Sequence, residues 1–185
     1  CVAGPSGFLD LLELRLGLPP MAGGGLERIL DYRSALEKTA AESARFYSAS
    51  LTVDPLASAR VLLQWRDELA LGGWDGNADG DAPARLQDLA VVETAFRACA
   101  SFPASTPARL RKVISTLGSG LDPRIDAVQL ADPIEFFPAL WRETLTSLPV
   151  ADLAWDLPQT PLAPAGTRLH NLQSRLLEKE RSEER

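Results

Sequence analysis

Apolar residues recur along most of this chain at the spacing of helices. Leu9, Leu12 and Leu16 share a face with Phe8 until Gly17 and the Pro19-Pro20 pair end the pattern. After a glycine triplet at 23–25, Leu26, Ile29, Leu30 and Leu36 repeat such a face through residue 44. The next stretch departs from that period. Phe46, Tyr47, Ala49 and Leu51 alternate with Ser48 and Ser50, which predicts a short buried strand over 46–51. Asp54 then reads as a helix N-cap, with Pro55 at the first helical position, where its missing N–H costs nothing. Leu56, Ala59, Val61, Leu62, Leu63, Leu69 and Leu71 give this helix a broad apolar face until Gly72-Gly73 stops it.

Residues 72–83 form a loop rich in Gly, Asp and Asn. A helix follows over 84–100, carried by Leu86, Leu89, Val92 and Phe96, and the segment 103–107 breaks it. Thr106 caps a further helix that runs to about Leu117 and closes at Gly118. The alternation of Ile125, Ala127 or Val128, and Leu130 predicts a second strand over 125–130. Leu140, Trp141, Leu145 and Leu148 mark a helix over 139–148. A third short strand is expected over 150–157, ended by Pro158. From Thr167 a final helix runs into the solvated charges of EKERSEER. Two strand–helix–strand passages predict an α/β fold, with a parallel or mixed sheet covered by helices. Its first part is expected over 1–76, a helical insertion over 77–120, and the continuation with a charged helical tail over 121–185.

Charge narrows the partners. The 185-residue chain carries a net charge of −6, so no global basic field holds nucleic acid by counterion release. The local basic patch is Arg109, Arg111 and Lys112 on the helix after 105, the candidate contact to DNA phosphate. No apolar run approaches the roughly 18 residues needed to span a membrane. Cys99 sits in an apolar helical run and reads as a small buried hydrophobe. Cys1 has two readings, the lipidated first residue of a mature lipoprotein or the edge of a fragment of a longer protein. The core-like Gly7-Phe8-Leu9 so close to it favours the fragment.

Motifs for chemistry are incomplete. Gly4, Pro5, Ser6 and Gly7 have the glycines of a phosphate loop, yet the Gly-Lys-Ser/Thr half is missing, so they read as a helix-opening turn. Asp75, Asn77, Asp79 and Gly80 match the first half of a calcium loop. Position nine is Pro83 and position twelve is Leu86 rather than a bidentate Glu, so an Asp/Gly surface loop without tight calcium binding is expected. His170 is the single histidine, which leaves no Ser–His–Asp set and no zinc cluster. Asp31, Asp67, Glu68, Glu93 and Glu143 lie beside arginines on helices and read as solvated salt-bridge faces. Trp65, Trp74, Trp141 and Trp155 are spread over distant elements and read as packing residues.

Four stretches carry a resemblance: GPSGFLDLLELRLGL, FYSASLTVDPLASARVLLQWRDELALGGWDG, IDAVQLADPIEFFPALWRETLTSLPV and GTRLHNLQSRLL. In collinear order they resemble the N-terminal part of AddB-like (RecB-like) helicase–nuclease proteins, bacterial double-strand-break-repair proteins described as inactivated superfamily I helicases with a PD-(D/E)XK nuclease. The resemblance implies a RecA-like (P-loop-NTPase-like) sheet fragment interrupted by a helical subdomain. It implies a structural or DNA-scanning role in the cytoplasm, with DNA reached through the parent protein and a helicase–nuclease partner subunit. The nuclease residues would lie beyond Arg185, and no catalytic residue, metal ligand or cofactor is expected within this stretch. A stand-alone interaction domain, or a calcium-responsive helix–loop–helix module, remains as the alternative.

Overall fold

A computed structural model describes residues 2–19, 25–98, 105–152 and Thr167. Its elements in order are α1 (Pro5–Arg15), α2 (Gly25–Glu42), α3 (Ser48–Val53), α4 (Pro55–Leu71), α5 (Ala84–Arg97), α6 (Thr106–Gly118), β1 (Val128–Leu130), α7 (Ala139–Thr146) and β2 (Val150–Asp152). A single 3-10 turn, Ile134–Phe136, joins β1 to α7.

The fold is mostly helical, and this corrects the expectation of a RecA-like α/β sheet. Strand among the described residues is limited to β1 and β2, three residues each, which pair in parallel with Val128 opposite Val150 and Leu130 opposite Asp152. The strand expected over 46–51 is not there: Phe46 and Tyr47 form a turn and Ser48–Val53 is α3. The turn is held by polar contacts. The Ser48 hydroxyl accepts the Arg45 N–H at 2.9 Å, and the Asp88 carboxylate accepts the Phe46 N–H at 3.1 Å. Tyr47 and Leu51 are both buried, four residues apart on one side of the chain, a spacing that serves a helix as well as alternation serves a strand. The strand expected over 125–130 shortens to β1, and the one expected over 150–157 is seen at Val150–Asp152, residues 153–157 lying outside the described residues. Trp155, His170, Cys1 and Cys99 lie outside them too, as does the final helix apart from Thr167.

Other local signals hold. Asp54 caps α4, accepting the Ala57 N–H at 2.9 Å, and its extended backbone (φ −144°, ψ 93°) separates α3 from α4 ahead of Pro55. Gly72 ends α4. Ser105, rather than Thr106, caps α6.

Two apolar cores lie side by side. Tyr32, Leu36, Tyr47, Leu51, Leu62, Leu63, Leu89, Val92 and Phe96 bind α2, α3, α4 and α5 together. Leu9, Leu12, Leu110, Val113, Leu140 and Trp141 bind α1, α6 and α7, with Val128 and Val150 of the strand pair packed beside them. Helix α2 packs along both α4 and α5, whereas α4 and α5 approach each other less closely. No described helix is long and apolar enough to cross a membrane.

Candidate functional site

The polar centre of the helical body is an ionic network that joins α2, α4 and α5. Arg66 on α4 makes a bidentate pair with Glu93 on α5, Nε to Oε2 at 2.8 Å and Nη2 to Oε1 at 2.7 Å. Its Nη1 donates to Asp67 at 2.8 Å, and Arg28 on α2 holds both Asp67 oxygens at 3.0 and 2.8 Å. Arg97 adds a second cation to Glu93, Nε to Oε1 at 2.9 Å. Glu93 is 1% exposed, so it is not the solvated surface carboxylate expected from its place beside arginines. Burial opposes its charged form, but the hydrogen bonds and charge of Arg66, joined by Arg97, outweigh this and hold its carboxyl below the usual carboxylate range. Burial likewise opposes the Arg66 charge, and Glu93 overcomes it. These 27 residues of separation leave no trace in local spacing, which is why the pair escapes sequence reading.

Tyr32 stands over this network, its ring edge-on to Phe96 at 5.0 Å, and its buried hydroxyl has no hydrogen-bond partner among the described residues. Burial, and then the Glu93 charge, push its phenol pKa well up. Removing an unsatisfied buried hydroxyl leaves the packing intact. Tyr32→Phe is therefore expected to stabilise the chain by about 1 kcal/mol or less, read as a higher urea midpoint at unchanged slope.

The basic patch expected on α6 is largely turned inward. Arg109 donates to Glu13 at 2.8 and 2.6 Å and to Asp10 at 2.5 Å, which ties α6 to α1. Arg111 donates to the Trp74 carbonyl at 2.8 Å. Lys112 is exposed. The three residues thus share a helix without forming one phosphate-facing surface.

In the acidic loop, the Asp75 carboxylate accepts from the Asn77 backbone and side chain at 2.9 and 2.8 Å. Those two bonds hold its pKa down. The Asp75 carbonyl takes a hydrogen bond from Arg97, and the Asn77 carbonyl takes the Trp74 indole N–H at 2.6 Å. Gly76 makes this possible: its φ is +95°, and a Cβ there would stand 2.7 Å from Glu93 Cγ. Among the described residues no three acidic, His or Cys side chains converge as a metal site.

An open concave surface lies among the described residues of α4 and α5. Trp65, Glu68 and Leu69 of α4 and its C-cap Gly72, with Trp74, Leu86 and Leu89, line an open groove of about 620 Å³ between α4 and α5. Trp65 is 44% exposed, so it is not buried as a packing residue of the core. A signal existed in the sequence: Val61, Trp65 and Leu69 repeat every four residues on a stripe separate from the buried Leu62, Leu63, Arg66 and Ala70. Val61, Trp65 and Leu69 thus leave an apolar stripe on the exposed side of α4. The chain matches no known protein-family profile, no curated protein and no solved structure.

Proposed function

We propose that this chain is a non-catalytic structural or DNA-scanning segment of a bacterial double-strand-break-repair helicase–nuclease of the AddB-like kind, working in the cytoplasm with DNA and a partner subunit engaged through the parent protein. The resemblance of the four collinear stretches supports the family. The observation that supports the non-catalytic role is where the charges go. Arg66, Glu93, Asp67, Arg28, Arg109 and Glu13 are spent on each other, fastening helices, rather than converging on an open cleft.

The test has two parts. The purified chain with ATP, magnesium and linear duplex DNA is expected to release no phosphate and cut no strand, because residues 4–7, the N-cap and first turn of α1, have no phosphate-gripping Lys. The reading frame is expected to continue beyond Arg185 into a PD-(D/E)XK segment. Turnover that survives further purification contradicts the role, and a stop codon just after Arg185 contradicts the family. A second reading, an interaction domain that functions by itself, is favoured by the apolar groove between α4 and α5.

A further inference from the structure

We propose that the α4–α5 groove is the docking site for a basic amphipathic helix of a partner protein. Helix α2 packs against both α4 and α5 on one side, and the groove opens between the same two helices on the other. That is the position a fourth helix takes in a four-helix bundle. The floor is apolar: Trp65 and Leu69 from α4 and Leu86 and Leu89 from α5 line it together with Trp74. Val61, 45% exposed, extends the α4 side by one turn. From Val61 to Leu69 the row runs about 12 Å, enough for anchors at i, i+4 and i+8 of an incoming helix.

Charge selects the occupant. Glu68 lines the groove itself. The loop that connects its two walls carries Asp75, Asp79 and Asp81, all exposed, and is fixed in place by the Trp74 indole on one side and by Gln87, which donates to the Gly80 and Ala82 carbonyls at 2.9 and 2.7 Å, on the other. Of the cations near it, Arg97 and Arg111 are held on the Asp75 and Trp74 carbonyls, the Arg85 guanidinium lies over the Phe46 ring at 5.7 Å, and Arg60 stands two turns from Glu68 along α4. An apolar floor with an acidic border attracts a helix whose apolar stripe is flanked by Lys and Arg, and it repels both an acidic helix and a second copy of this −6 chain.

A fluorescein-labelled synthetic helix with leucines at every fourth position and lysines elsewhere is the probe, read by anisotropy against the whole chain. A dissociation constant of about 10 µM or tighter is expected. The same residues scrambled to break the helical period, and a glutamate-for-lysine version, are expected to bind at least about tenfold more weakly. Trp65→Ala is expected to weaken the leucine–lysine helix about tenfold or more, with circular dichroism unchanged. Glu68→Lys, a fully surface change, is expected to weaken the lysine helix and strengthen the glutamate one. Equal binding of the scrambled peptide would reduce the effect to bulk charge and overturn the proposal. So would affinity indifferent to both substitutions, or self-association of the chain that Trp65→Ala abolishes, which would give the groove to a second copy.

Discussion

Arg66→Met is expected to cost about 3–5 kcal/mol, because it strips the bidentate partner from a carboxylate that is almost wholly buried. Arg97 still reaches Glu93 from the loop side, which keeps the loss within this range. A native domain holds only about 5–15 kcal/mol in total, so the variant should lose a large share of its stability and melt about 6–20 °C below the wild type. Adding Glu93→Leu removes the unpaired charge and should restore much of the loss, since an apolar pair of similar volume often replaces a buried ion pair at no net cost. Acid distinguishes the two states. Glu93 has a folded pKa below its unfolded value, so its contribution is fully present above the unfolded carboxylate pKa and fades as pH falls through the folded one. Urea midpoints of the wild type should therefore drop steeply below about pH 4, and those of Arg66→Met much less. A cost of Arg66→Met under about 1 kcal/mol would mean the pair is not buried as described.

Tyr47→Asp is the second large effect. The Tyr47 ring is buried against Phe46, edge-on at 5.3 Å, and its hydroxyl shares a 2.7 Å hydrogen bond with Thr39, which also donates to the Ala35 carbonyl at 2.9 Å. An unpaired carboxylate in that site should cost about 3 kcal/mol or more at neutral pH. Protonation relieves the penalty, so the variant should regain part of its stability on mild acidification. Tyr47→Phe keeps the ring and leaves Thr39 its backbone acceptors, and should cost about 1 kcal/mol. Calorimetric melting of the two variants side by side checks the ordering; equal melting points would place the ring at the surface.

The sequence revealed its helices better than its strands, and position 46–51 explains why. Six residues that alternate apolar and polar also satisfy an i, i+4 pair, here Tyr47 and Leu51. What decides between them is remote: Asp88 takes the Phe46 N–H and Arg45, and Thr39 takes the Tyr47 hydroxyl. No local window contains those partners. Caps are the opposite case, since the Asp54 carboxylate and the Ala57 N–H it accepts are three residues apart, and the Asp54-Pro55 boundary was legible from the pattern. Arg66 and Glu93 lie on helices whose polar faces look solvated in isolation, and only the packing of α4 and α5 against α2 buries them. Arg109 and Arg111 looked like a phosphate patch for the same reason; Asp10 and Glu13, which engage Arg109, are nearly a hundred residues away along the chain.

That internal use of charge is what the account most depends on, and a salt titration of DNA affinity measures it. Binding of the purified chain to a short labelled duplex, followed between low and physiological salt, should be weak throughout. The slope of log affinity against log salt should be about one or less, the signature of a single phosphate contact such as exposed Lys112 could make. Lys112→Ala should remove that slope. Nanomolar affinity at physiological salt, with a slope corresponding to several released counterions, would contradict the account, because it would require Arg109 and Arg111 to leave Glu13, Asp10 and Trp74 for the phosphate backbone.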